Sequence, residues 1–240
     1  MTDLQKITND LNKLANKPQA SILQRFFKTA PGQYGAGDVF LGIKVPVQRK
    51  IAKKYSYLNL KDLKSLLESK IHEFRLVALL ILVEQYEKAT SIKTKEKIVK
   101  FYLSQRLRIN NWDLVDLSVY KILGDWLLLR TSELKILDKL ASSNNLWERR
   151  IAMIATYAFI KKGETLETFR LAKKLLKDEH DLIHKAVGWM LREVGKRVSR
   201  KELLIFLDQN SKNMPRTALR YAIEHLSPSE REFYLKKRDL

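Results

Sequence analysis

The sequence predicts an all-α fold of stacked helical repeats, on three observations. Apolar residues recur at helical spacing along the whole chain, no convincing run of strand-type alternation interrupts them, and one short motif returns at regular steps from Leu60 onward. Eight Gly and five Pro in 240 residues is sparse usage, as expected for helices joined by short turns.

Leu4, Ile7, Leu11 and Leu14 form one face of a first helix, with Thr2 or Asp3 placed to cap it. Ser21 to Lys28 reads as a short second helix. Thr29 to Gly42 then holds four of the eight glycines and reads as a loop. Val45-Pro46 opens a helix reaching about Tyr55, since Pro is tolerated where a helix needs no amide donor. Phe40-Leu41-Gly42-Ile43 is too short to count as a strand.

From there the chain repeats. Phe74-Arg75-Leu76-Val77-Ala78 aligns with Arg149-Arg150-Ile151-Ala152-Met153, His184-Lys185-Ala186-Val187-Gly188 and Pro215-Arg216-Thr217-Ala218-Leu219. Trp112-Asp113-Leu114-Val115-Asp116 takes the same register, with Asp113 in the cation's place. Successive anchors at 75, 113, 150, 185 and 216 give steps of 38, 37, 35 and 31 residues, the length of a helix-turn-helix unit. Stacked in order, such units make a HEAT-like solenoid with a concave face, and residues 1–240 read as a single repeat domain. Each residue turns a helix by about 100°, so Trp112, Arg150, Asp116 and Trp189 fall at about −100°, 0°, −60° and 40° from their anchors. Equivalent positions of neighbouring repeats align side by side, which places the four on one strip.

Lys and Arg total 46 against 27 Asp and Glu, a net charge of +19. That excess favours a polyanion, through phosphate attraction and counterion release, and makes the concave groove basic. No cysteine is present, which excludes disulfides, thiol nucleophiles and cysteine-based zinc sites, and fits a reducing cytoplasm. No apolar stretch approaches the roughly 20 residues that span a bilayer, and the N-terminus lacks the pattern of a signal peptide.

Asn110-Asn111-Trp112-Asp113-Leu114-Val115-Asp116 carries the most chemistry. Asn110 or Asn111 suits an N-cap and Asp113 the positive end of the helix dipole. Asp116 lies one turn further in, between Val115 and Leu117, where capping offers no reason for a carboxylate. Arg149 and Arg150 suit phosphate contact or an ordinary cationic surface offset by Glu148. Gly188 is out of place in a helix unless something packs close to it, either a neighbouring helix or another molecule's backbone. Trp189 beside it is core or an aromatic platform. His180 and His184 have metal-pair spacing but no HExxH glutamate, so they predict no metal site. The glycines form neither GxGxxG nor a P-loop, and GxSxG is missing.

Several stretches resemble the DNA alkylation repair (AlkD-like) family: Arg25-Phe26-Phe27-Lys28, Gly32-Gln33-Tyr34-Gly35 with Gly37-Asp38, Phe40-Leu41-Gly42-Ile43, Trp112-Asp113-Leu114-Val115-Asp116, and Lys185-Ala186-Val187-Gly188-Trp189-Met190-Leu191-Arg192-Glu193. The resemblance covers nearly the whole chain. It implies a DNA glycosylase that hydrolyses the N-glycosidic bond of cationic N3- and N7-alkylpurines in duplex DNA without flipping the base. Asp116 matches the catalytic carboxylate, Trp112 and Trp189 the site tryptophans, and Arg150 the phosphate-gripping arginine. Arg149 and Lys185 join Arg150 as DNA-facing cations. Phe26 matches an N-terminal aromatic that is tyrosine in some relatives, so a hydroxyl contact to DNA is lost there. The resemblance further implies a monomer with no cofactor and no membrane partner. The Thr29–Gly42 glycines then suit a tight backbone turn or a loop that packs on DNA. A helical-repeat binder of nucleic acid or protein, without catalysis, is the competing reading.

Overall fold

Thr2 caps the first helix, α1 (Asp3–Lys13). Its hydroxyl accepts from the Gln5 amide at 3.2 Å, and the Gln5 side chain accepts from the Thr2 amide at 2.8 Å. Ile7 and Leu11 are buried, whereas Leu14 falls past the helix end and is largely exposed. The chain is described here from a computed structural model covering residues 1–239, with side chains through Lys237. It divides into two compact units, Met1–Ser118 and Val119–Leu240.

In the first unit α2 spans Lys17–Phe26, four residues ahead of the Ser21 start that the apolar spacing predicts. Asn16 caps it by accepting from the Gln19 amide, and Pro18 sits in the first turn, where no donor is needed. It ends before Lys28, whose φ of +52° cannot continue a right-handed helix. After the connecting loop come α3 (Val45–Lys54), α4 (Leu60–Leu67), α5 (His72–Lys88), α6 (Ile92–Ser104) and α7 (Trp112–Val119). Helices α3, α4 and α6 pack around α5. That explains its sequence: Phe74 to Val83 are all buried, so α5 is covered around its circumference rather than along one stripe.

The end of the Thr29–Gly42 loop is pinned from within by α5. The fully buried Glu73 accepts from the amides of Leu41 at 2.9 Å, Gly42 at 2.8 Å and Ile43 at 3.2 Å. Gly42 is required there twice over: its φ is +86°, and a Cβ would lie 2.2 Å from the Asn16 carbonyl oxygen. Val39 makes an isolated bridge to Ile71, and no strand forms among the described residues.

The second unit begins with a π-helical stretch, Tyr120–Gly124. It continues through α8 (Asp125–Leu129), α9 (Lys135–Ala141), α10 (Leu146–Ala155), α11 (Tyr157–Lys161), α12 (Leu166–Leu175), α13 (Asp181–Arg197), α14 (Arg200–Asn210), α15 (Arg216–Ala222) and α16 (Pro228–Asp239). Helix α10 packs on α9 and α13, and α13 packs on α12, α14 and α15, the pairwise stacking of a helical repeat. The anchors fall where the repeat predicts, Arg75 on α5, Asp113 on α7, Arg150 on α10, Lys185 on α13 and Arg216 opening α15. Gly188 has a packing reason. A Cβ on it would lie 2.4 Å from the Ala218 carbonyl oxygen, so its absence lets α13 and α15 touch backbone to backbone. Among the described residues no helix is long and apolar enough to cross a membrane.

Candidate functional site

Asn111 starts α7. Its carbonyl accepts from the Val115 amide, its side-chain oxygen accepts from the Trp112 amide at 2.8 Å, and its side-chain nitrogen donates to Asp38 at 3.1 Å. Trp112 follows, half-buried, with Asp116 one turn further along the same helix and also half-buried. Helical geometry alone puts these two side chains on one face.

Trp112 is supported by an aromatic column. Its ring lies on Phe27 with centroids 5.1 Å apart and planes 12° apart. Phe27 stacks on Phe40 at 4.9 Å, and Phe40 stacks on His72 at 4.5 Å. Phe26 meets Trp112 edge-on at 5.9 Å, yet is 61% exposed, large for a Phe in contact with a Trp. Sequence reasoning marks Phe26 and Trp112; it misses Phe27 and Phe40, which look like ordinary core residues.

Asp116 has a buried neighbour in Tyr102. Burial holds the Tyr102 phenol above its ordinary range; a hydrogen bond with Ser118 opposes this in part, and the Asp116 charge adds to it. Tyr102 is therefore neutral. The Ser118 hydroxyl donates to the Leu114 carbonyl at 2.6 Å, so the Tyr102 hydroxyl donates to Ser118, 3.0 Å away.

Beneath α7 lies a buried charge network that the sequence reading does not anticipate. His72 Nδ1 is 3.1 Å from Asp38 Oδ2, and its Nε2 is 2.8 Å from Asp113 Oδ2. Arg75 donates to Asp38 Oδ1 at 2.7 Å. Asp113, read from sequence as a dipole-stabilising residue, is buried and ties α7 to α5, while its Oδ1 also accepts from the Leu114 amide at 2.9 Å. Burial disfavours charge on His72, but the Asp113 charge and the bonds to both carboxylates outweigh it and raise its pKa to about 9. Burial likewise pushes Asp38 up, and the bond from His72 together with the Arg75 charge holds it below the ordinary carboxylate value.

In the second unit the half-buried Trp189 donates its indole N–H to Glu193 at 3.2 Å, which fixes the ring. Burial raises the Glu193 pKa, and the Arg197 hydrogen bond at 2.6 Å and charge more than offset it, so the carboxyl stays ionised. The Tyr157 and Trp189 ring centroids are 6.0 Å apart, and the Arg197 guanidinium lies over the Tyr157 ring, 5.5 Å from its centre. Tyr120 meets Tyr157 edge-on at 5.1 Å. Arg150 is buried, and its Nη1 donates to the Leu182 carbonyl at 2.5 Å. Arg149 is bound to Asp178 at 2.5 and 3.2 Å and to the Ser143 and Asn144 carbonyls at 3.0 Å. Lys185 pairs with Asp181 at 2.9 Å. His180 caps α13 by accepting from the Leu182 amide, and His184 bonds the Asp178 carbonyl at 2.5 Å.

Solved structures that share this fold include the following three. A predicted DNA alkylation repair enzyme from Enterococcus faecalis superposes with a TM-score of 0.68 at 19% identity, covering 89% of this chain and 97% of its own. AlkD2 from Streptococcus mutans gives 0.57 at 17% identity over 88% and 99%. The protein smu.31 from Streptococcus mutans UA159 gives 0.54 at 17% identity over 94% and 100%. A search of curated protein sequences returns no match. The family model described as DNA alkylation repair enzyme matches residues 7–226. With that match over most of its length, the chain belongs to the DNA alkylation repair enzyme family.

Proposed function

We propose that this protein is a DNA glycosylase that releases cationic N3- and N7-alkylated purines from duplex DNA, acting as a monomer in the cytoplasm with the whole chain as one repeat domain. The observation that carries this reading is a carboxylate, Asp116, one helical turn from an aromatic face, Trp112, that is braced from behind by Phe27. Alkylation at N3 or N7 leaves the purine positively charged, so the base departs neutral and needs no general acid. The barrier lies in the oxocarbenium character that develops on the deoxyribose. An ionised carboxylate beside that sugar stabilises it electrostatically, and Asp116 also orients the attacking water. An indole face attracts a cationic nucleotide by about 0.5–2 kcal/mol.

Phe26, exposed beside Trp112, contributes an apolar contact to the duplex. In the second unit Trp189 offers an indole face oriented by Glu193, and the phosphate contacts fall to Arg150, Arg149 and Lys185 on exchange of their present partners, the Leu182 carbonyl, Asp178 and Asp181, for phosphate oxygens. The net charge of +19 supports a polyanionic partner. A site with so few groups does not enclose the base, which suits recognition without flipping.

The test is incubation with methylated duplex DNA and chromatography of the released material. Free 3-methyladenine and 7-methylguanine are expected. Binding of the methylated duplex with no release of base above the spontaneous rate would leave the noncatalytic binder as the better reading.

A further inference from the structure

Ionised carboxylates only accept hydrogen bonds. Both ring nitrogens of His72 face carboxylate oxygens, Asp38 at 3.1 Å and Asp113 at 2.8 Å, so both must donate and the ring is an imidazolium. The surroundings agree. Arg75 pairs with Asp38, so two cations and two carboxylates close into a neutral buried cluster, and Asn111 adds a fourth arm by donating to Asp38. Glu73, beside His72 on α5, is committed to the amides of residues 41–43. One face of the imidazolium lies on Phe40 at 4.5 Å, a favourable place for a cation.

The cluster touches the candidate site from two sides. Asp113 is the residue after Trp112, and Asn111 the residue before it. Through Phe40 and Phe27 the same histidine also reaches the underside of the Trp112 ring. We propose that His72 is the positioning residue of this site, clamping Asp38 and Asp113 so that the start of α7 presents Trp112 and Asp116 in one fixed orientation. The consequence for catalysis rests on the glycosylase reading above; the clamp itself does not. A buried ion cluster is poor support for stability when compared with an apolar core, so its presence beneath Trp112 fits a role in fixing geometry.

The experiment is fluorine NMR of protein grown with 5-fluorotryptophan, with the Trp112 resonance identified by its loss in Trp112→Phe. From pH 6.5 to 10.5 the Trp112 resonance should shift with a midpoint near 9, the pKa of His72. In His72→Gln that shift should vanish, and in Asp113→Asn its midpoint should fall by at least one pH unit, because a carboxylate that favours the cation is gone. Single-turnover base release by His72→Gln should drop at least tenfold, with duplex affinity within about twofold of the parent. A Trp112 resonance that keeps the parent's position and linewidth in His72→Gln at pH 7 overturns the clamp; a wild-type resonance that stays still up to pH 10.5 means that the imidazolium persists, and the comparison with His72→Gln at pH 7 then decides. If no form of the protein releases base, the glycosylase reading falls, while the fluorine spectra still decide the clamp.

Discussion

Trp112 and Phe27 lie face to face, 12° from parallel with ring centroids 5.1 Å apart. One residue is half-buried and the other buried, so the pair joins the core of the first unit to its surface. Whatever binds against Trp112 meets a ring whose tilt the interior has already set.

Phe27→Ala should cost about 3–5 kcal/mol of stability, since it removes the middle of the column and leaves a cavity. Phe27→Leu should recover most of that loss, while the Trp112 ring loses its parallel support. Urea unfolding gives the first quantity, and acrylamide quenching of tryptophan emission gives the second. A Leu variant as well ordered at Trp112 as the parent would show that bulk, and not stacking, sets the ring.

Asp116→Asn should slow excision of 7-methylguanine by about 100-fold or more, the scale on which a single preorganised electrostatic contact acts. Duplex affinity should be retained or improved, because on the proposed reading the substitution removes a negative charge from beside the DNA. Excision at the parent's rate removes the carboxylate from the mechanism.

Arg150→Ala should weaken DNA binding alike at all sequences and flatten the salt dependence by about one unit of log–log slope. Arg150 also donates to the Leu182 carbonyl from a buried position, so the variant should lose about 1–3 kcal/mol of stability as well. Affinity measured from 50 to 200 mM salt separates the two effects, because the stability loss does not change the slope.

Gly188→Ala tests the helix contact against local preference. Alanine favours a helix over glycine by about 1 kcal/mol, but its Cβ would meet the Ala218 oxygen at 2.4 Å and Tyr221 Cβ at 2.5 Å. A net loss of about 1–3 kcal/mol on thermal or urea unfolding is expected. A stabilised variant would mean that α13 and α15 part easily.

The His72 pKa of about 9 lies above the ordinary 6.5, so its contribution to stability is complete below pH 6.5 and is lost as pH rises through 9. Asp38 has the opposite sign: its pKa lies below 3.8, so its contribution is present above that value and is lost in acid. Stability should therefore peak in the acidic-to-neutral range between these two losses. Urea midpoints measured from pH 3 to 10 should trace that curve, and His72→Gln should lack the alkaline decline.

Helix periodicity and the spaced anchors made the fold legible, because both follow from how a repeat buries its faces. The α7 motif was legible for a similar reason: Asp116 lies one turn beyond any capping role. The start of α2 was misplaced because Asn16 and Pro18, which fix it, lie outside the apolar pattern. The network around His72 is hidden because its two carboxylates, Asp38 and Asp113, stand 34 and 41 residues from that histidine in sequence. Asp113 was read for its own helix end, an explanation that leaves its second oxygen unused. Glu73 gave no sign, since one acidic residue at a helix start looks like ordinary dipole compensation.

Because Glu73 gathers three successive amides around a carboxylate with no access to water, the stretch from Leu41 to Ile43 has no cheap way to come loose. Freeing it would strand an anion in the interior. These amide protons should therefore exchange with solvent only when α5 itself unfolds, which ties the loop's clock to that of the most deeply shielded helix in the first unit.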